Sequence, residues 1–185
     1  MKICPTILFI FLFIPLNAQD SLETLSKINN RIAPNFYLED LEGNFHFLND
    51  YCGTKISRLK TNNKQIVLLS FFATWCLPCR EEFKTLEAVS SIFSEDTLKI
   101  FLIDIQEPKD KVIKFANEFG IKIPILLDIY GVTKKRYNIN SIPQTILIDQ
   151  NQNIIFEHVG YNFGEPLFEG LRAKVDSLLA VMKIN

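Results

Sequence analysis

Ile66-Val67-Leu68-Leu69-Ser70-Phe71-Phe72-Ala73-Thr74-Trp75-Cys76-Leu77-Pro78-Cys79-Arg80-Glu81-Glu82-Phe83 is the stretch that decides the fold. Residues 66–73 are apolar at nearly every position, the pattern of a strand buried on both faces. Residues 80–93 then set Phe83, Leu86, Val89 and Phe93 along one side of a helix. Between the two lie a pair of thiols three positions apart, a spacing that can close a small disulfide ring without unravelling the helix behind it. Cys76, at the helix start, meets unpaired backbone N–H groups and the positive end of the dipole, which favour thiolate over thiol. It is read as the nucleophile, and Cys79, one turn further in, as the shielded thiol that attacks a mixed disulfide and releases the product.

Two plainer readings compete. A zinc site needs a second ligand pair, and only Cys4, Cys52, His46 and His158 remain, none in tandem spacing, so no metal is expected. A structural disulfide stays open on counting alone. Against it, such bridges usually close longer loops, and a proline between cysteines at a strand-to-helix junction is typical of redox motifs.

The segment Phe71-Phe72-Ala73-Thr74-Trp75-Cys76-Leu77-Pro78-Cys79-Arg80-Glu81-Glu82-Phe83 resembles the active-site segment of thioredoxin-like proteins, specifically the exported TlpA/ResA-type branch. Two more stretches are similar to that branch: Ala33-Pro34-Asn35-Phe36-Tyr37-Leu38-Glu39-Asp40-Leu41-Glu42-Gly43 to its opening hairpin, and Ser141-Ile142-Pro143-Gln144-Thr145-Ile146-Leu147-Ile148-Asp149 to its proline loop and following strand. Together they span roughly residues 33–161, which makes the resemblance far more specific than a lone C-x-x-C.

Composition agrees. The 185 residues, 48% hydrophobic and 22% charged, suffice for one domain with its own core. A net charge of −1 with dispersed Lys and Arg gives no basic stripe, so nucleic acid is not an expected partner. The 16 Phe residues read as core, and without a Gly-rich phosphate loop no cofactor is expected. A monomer is expected.

The N-terminus sets the compartment. Met1-Lys2, the apolar stretch 3–16 and Asn17-Ala18-Gln19-Asp20 read as a signal peptide, residues 1–18, cleaved after Ala18. The apolar stretch is short of the about 20 residues that span a bilayer, and Pro5 and Pro15 interrupt it, so an uncleaved anchor is the weaker reading. The expected location is periplasmic or otherwise extracytoplasmic. Cleavage removes Cys4 and leaves Cys52, Cys76 and Cys79, an odd number, of which Cys52 is the leftover. It is read as a buried small hydrophobe in preference to a third redox thiol.

Leu22, Leu25, Ile28 and Ile32 suggest a helix over residues 20–32, within an extension 19–32 that precedes the thioredoxin-like domain, 33–185. Within the domain the pattern predicts a hairpin (36–38 and 45–47), strand 66–73, helix 80–93, strand 98–105, helix 109–119 ended by Gly120, strand 125–127, helix 130–137, a second hairpin (144–148 and 154–159) and helix 165–182. The fold class is therefore α/β: a thioredoxin-like three-layer fold, a mixed central sheet with helices on both faces and an N-terminal β-hairpin extension.

The resemblance also implies roles. In thioredoxin-like folds the proline at position 143 is cis and packs beside the dithiol, leaving the backbone of Ile142 free to pair with an extended substrate strand. Trp75, Leu77 and Pro78 would shape the remaining substrate surface. Glu82 matches an acidic residue that ResA-type proteins place beside the cysteines, where it could exchange a proton with Cys79. Its plainer role, shared with Glu81, is that of a first-turn acid facing the helix dipole. Ser70 stands where cytoplasmic thioredoxins carry a buried Asp, which leaves Glu82 as the replacement. Arg80 reads as a solvated helix residue, and neither His46 nor His158 as a ligand or base.

The leading expectation is an exported protein-disulfide reductase working through a Cys76–Cys79 redox disulfide. Its partners would be disulfide-containing exported proteins and a membrane electron-transfer protein as reductant, with cytochrome c maturation among the family's roles. A thiol peroxidase of the related peroxiredoxin class is disfavoured, because Ala73 stands where its peroxide-polarising Thr would be. A non-catalytic disulfide-bearing binding module is argued against by the intact Trp75, Cys76, Cys79 and Pro143.

Overall fold

In the computed structural model, residues 31–53, 64–161 and 167–182 are described. The expected signal peptide, the expected helix up to residue 30 and the expected start of the last helix at 165–166 lie outside these residues. Ile32 is extended, forming an isolated antiparallel bridge with Asn153.

The elements follow one another as β1 (Tyr37–Asp40), β2 (Phe45–Phe47), β3 (Ile66–Phe72), α1 (Leu77–Ile92), β4 (Leu98–Ile105), α2 (Lys109–Phe119), β5 (Ile125–Asp128), α3 (Val132–Arg136), β6 (Gln144–Ile148), β7 (Ile154–Val159) and α4 (Leu167–Met182). They build a mixed seven-stranded sheet in the order β2-β1-β5-β4-β3-β6-β7. Strands β3, β4 and β5 run parallel, and β1 and β6 flank them antiparallel. β3 lies inside the sheet, between β4 and β6, and is buried at all seven positions, as a doubly covered strand must be.

Alternation along β3 divides the core. Leu68 and Phe72 face α1, α2 and α4, joining Phe83, Leu86, Val112, Phe115, Leu171 and Val175. Val67, Leu69 and Phe71 face the other way, against Phe36, Leu48, Cys52, Tyr137 and Ile139. Both faces are covered, the second by the short α3, a 3-10 turn at Leu48–Asp50 and the extended segment before β1.

Two helices start where the sequence pattern did not put them. α1 begins at Leu77 instead of residue 80, because Cys76 caps it and Pro78 falls in the first turn, where its missing N–H costs nothing. Glu81 and Glu82 consequently sit beyond the first turn, which holds no acid, and the dipole reading of both is corrected. α3 is shortened to Val132–Arg136: Gly131 caps it in the left-handed region, φ 66°, and the Asp128 carboxylate accepts the N–H groups of Thr133 and Lys134 at 3.2 and 2.7 Å.

Candidate active site

Cys76 and Cys79 form a disulfide at the mouth of α1, with Cα atoms 5.3 Å apart. Cys76 occupies the N-cap with extended backbone, and its sulfur accepts the Cys79 N–H at 3.2 Å. The sulfur of an N-cap cysteine thus takes the place that a Ser or Asp oxygen usually holds, in the positive field of the helix end. Cys76 is 3% exposed and Cys79 is fully buried, so the approachable sulfur is that of Cys76.

The residues around the pair divide by exposure. Trp75 and Leu77 are 68% and 66% exposed, and Pro78 is exposed as well, forming an apolar rim. Pairing of Gln144 with Phe71 brings Ile142 and Pro143 to the sheet end from which the Cys76 turn departs. Their peptide bond is cis. Ile142 packs half-buried against the cluster that contains both cysteines, and the Pro143 carbonyl accepts Gly160 N–H at 2.7 Å.

Glu82 is fully buried one turn below Cys79. Its two oxygens accept from Ser70 Oγ at 2.6 Å and Thr145 Oγ1 at 2.7 Å. Burial raises its pKa above the ordinary carboxylate value, against the two hydroxyl bonds that favour the anion. Ser70 and Thr145 are register partners across β3 and β6, so the sheet itself fixes this cradle.

A second set of polar groups holds the turn before Cys76. The carboxylate of Glu107 accepts Thr74 N–H at 2.5 Å and Thr74 Oγ1–H at 2.9 Å, and pairs with Lys111. Burial raises the Glu107 pKa, but bonds from Lys111, Thr74 and Asp104 outweigh it and the net shift is downward. Arg80 donates to the Thr74 carbonyl at 2.8 Å and lies over the rings of Phe119 and Phe115, so the solvated helix residue expected at this position is in fact packed against the turn. Sequence reasoning missed Thr74 and Glu107, whose partners are 33 residues apart. It also missed Asp104, though a carboxylate in the otherwise apolar tail of β4 was a visible signal.

Cys52 lies on the opposite face of the sheet, buried, with its thiol directed at the Leu48 carbonyl 3.9 Å away. Burial pushes its pKa up to about 12, which makes it an inert packing group. His46 is held between Asp40 and Tyr51, remote from the site. Among the described residues no group of three His, Cys, Asp or Glu side chains is placed to hold a metal.

A mixed sheet with a disulfide capping the helix after an interior parallel strand, and a cis-proline at the adjoining sheet end, defines the thioredoxin-like class. Residues 30–157 match the AhpC/TSA family, and the chain belongs to it. It is 35% identical to the thiol-disulfide oxidoreductase ResA of Geobacillus kaustophilus over 66% of this chain and 64% of that protein. The chain thus spans just under two thirds of that relative's length. It is 31% identical to the ResA of Bacillus thuringiensis subsp. konkukian over 76% of this chain and 75% of that one. The thioredoxin domain of a thiol-disulfide oxidoreductase from Bacteroides vulgatus shares the fold, with a TM-score of 0.65 and 23% identity over 80% of this chain and 97% of that one.

Proposed function

We propose that this protein is an extracytoplasmic thiol-disulfide oxidoreductase that reduces protein disulfides. The observation that carries the reading is the placement of Cys76: an N-capping sulfur that accepts the Cys79 N–H, at the sheet end to which the β3–β6 register brings Ile142 and Pro143, with the exposed Trp75, Leu77 and Pro78 around it. In the reduced protein the same N–H and helix dipole stabilise a Cys76 thiolate. That thiolate attacks one sulfur of a substrate disulfide, the S–S bond breaks, and the other substrate sulfur leaves as a thiol. Cys79, deprotonated, then attacks Cys76 in the mixed disulfide, releasing the second substrate thiol and leaving the Cys76–Cys79 disulfide. Two electrons have passed to the substrate. Glu82, one turn below Cys79, is the group that takes the Cys79 proton in this step.

An extended substrate strand pairs with the Ile142 backbone while Trp75, Leu77 and Pro78 contact its side chains. The substrates are disulfide-bearing exported proteins, with apocytochrome cysteines awaiting haem as the specific class suggested by the ResA resemblance. Reduction of the spent disulfide falls to a membrane electron-transfer protein. The leader-like residues 1–18 support export.

Trapping tests the reading. Cys79→Ala is expected to accumulate mixed disulfides with exported proteins through Cys76, and Cys76→Ala almost none. Equal trapping by the two would reverse or remove the assigned order of attack, and an equilibrium with glutathione lying far towards the dithiol would make the protein an oxidant instead.

A further inference from the structure

Asp104 stands at the end of β4, opposite Phe72 in the register and fully buried on the face that carries α1. Among the described residues no side-chain donor reaches its carboxylate oxygens; what favours its anion is the Glu107 backbone N–H and the charge of Lys111, and burial outweighs both. An ionised carboxylate in that position is strongly penalised. What faces it is the carboxylate of Glu107, whose demands are the opposite: the Thr74 N–H, the Thr74 hydroxyl and Lys111 all call for negative charge there. One proton shared by the pair and held on Asp104 satisfies both, since Asp104 then donates to Glu107.

The proton matters because of what Glu107 holds. Thr74 lies two residues before Cys76, and its peptide is gripped from both sides, the N–H by Glu107 and the carbonyl by Arg80. Cys76 N–H closes the turn on the Ala73 carbonyl at 3.0 Å. The Cys76 sulfur therefore rests on a turn whose anchor is a buried carboxylate, and that carboxylate rests on Asp104.

We propose that Asp104 is a positioning residue for the Cys76–Cys79 pair: its proton, donated to Glu107, keeps Glu107 on Thr74 and thereby fixes the turn that presents Cys76. Loss of the proton sets two carboxylates against each other, Glu107 swings towards Lys111, and Thr74 loses both bonds. The charged groups facing the pair are Lys111 from α2 and, through Thr74, Arg80 from α1. Glu82, on α1, is occupied by Ser70 and Thr145; Asp128, at the end of β5, caps α3; Lys109 is tied to Glu39. Burial pushes the Asp104 carboxyl up to about 8, with Glu107 adding to the rise, so the proton is held through neutral pH and released in the mildly alkaline range.

The kinetic part of this inference rests on the reductase reading; the structural part does not. The test follows the Thr74 amide by NMR against pH in the oxidised protein, where neither Cys76 nor Cys79 titrates, alongside pH-rate profiles for reduction of a protein disulfide. In the wild type the Thr74 amide is expected to move upfield with a midpoint near 8. Asp104→Asn, whose side-chain N–H donates to Glu107 at every pH, should hold Thr74 in place throughout. It should match the wild-type rate on the acid side and exceed it by about tenfold on the alkaline side, the scale on which a small displacement of a reacting group costs rate. Asp104→Leu, which removes the repelling charge together with the proton, should likewise leave the Thr74 amide without a titration near 8. A wild-type Thr74 amide that does not titrate, or one that titrates identically in Asp104→Asn, overturns the proposal and leaves the reductase reading standing. The expected titration without any exchange activity supports the positioning role and instead overturns the reductase reading.

Discussion

Glu82 and Asp104 are both fully buried carboxyls on the α1 face of the sheet, yet Glu82 accepts from two hydroxyls whereas Asp104 meets another carboxylate. Burial raises both pKa values, and the neighbours decide what each group does with the rise. Ser70 and Thr145 favour the anion of Glu82, against the burial that disfavours it. Glu107 adds to the desolvation at Asp104 and holds it neutral. Equal burial thus leaves two carboxyls in opposite surroundings, one among hydroxyl donors and one against a carboxylate.

The sharpest test of this contrast is the pH dependence of stability. A carboxyl whose folded pKa lies near 8, well above its unfolded value of 3.8, binds more protons folded than unfolded between those limits, so its stabilising effect is complete at acid pH and lost as pH rises towards 8. Urea unfolding from about pH 5 to about pH 9 should show the wild type losing about 4 kcal/mol relative to Asp104→Asn. Parallel curves would place Asp104 among ordinary carboxylates.

Glu82 should respond when its hydroxyls are removed. Ser70→Ala combined with Thr145→Val deprives the anion of its donors, and a loss of about 2 kcal/mol is expected where Glu82 is ionised, shrinking at pH values low enough to protonate it. A loss of equal size at both pH values would mean that the hydroxyls contribute packing and not charge stabilisation.

Glu82→Gln keeps the cradle and deletes the charge. Disulfide exchange near neutral pH should slow by about tenfold, roughly 1.4 kcal/mol in the barrier, because the acceptor for the Cys79 proton is lost. The same change removes a like charge from the reduced site and should lower at least one apparent thiol pKa of the coupled pair in a thiolate-absorbance titration. Superimposed titrations and pH-rate profiles would reduce Glu82 to a structural acid.

Cys52, across the sheet, supplies the control. Cys52→Ser should leave insulin-disulfide reduction within about twofold, well under 1 kcal/mol. A tenfold loss would show that the faces communicate and that the contrast between the two carboxyls is not local.

The strand and helix order could be read from the sequence because each element carries its own period: seven buried positions in β3, and one buried side of α1. The nucleophilic pair was legible for the same reason, since a helix start is a local feature. The polar scaffold behind it was not. Glu82 finds its partners 12 and 63 residues away, and Glu107 grips a residue 33 positions earlier, so neither contact leaves a periodic trace. Glu107 follows a strand and looks like any loop acid, and Arg80 sits on an exposed-looking helix turn that α2 in fact covers with Phe115 and Phe119. The late start assigned to α1 has a local cause: Pro78 reads as a helix breaker unless the cap at Cys76 is already known.

Leu77 and Pro78, the two residues enclosed by the disulfide ring, point outward from the first turn of α1 and belong to neither half of the core. The side chains that hold the turn in shape lie behind it, those of Thr74, Arg80 and Glu107. Substitutions in the enclosed dipeptide can therefore reshape the surface around the sulfur pair while the interior packing stays as it is. The outer turn and the interior that keeps the chain folded are thus free to change one at a time.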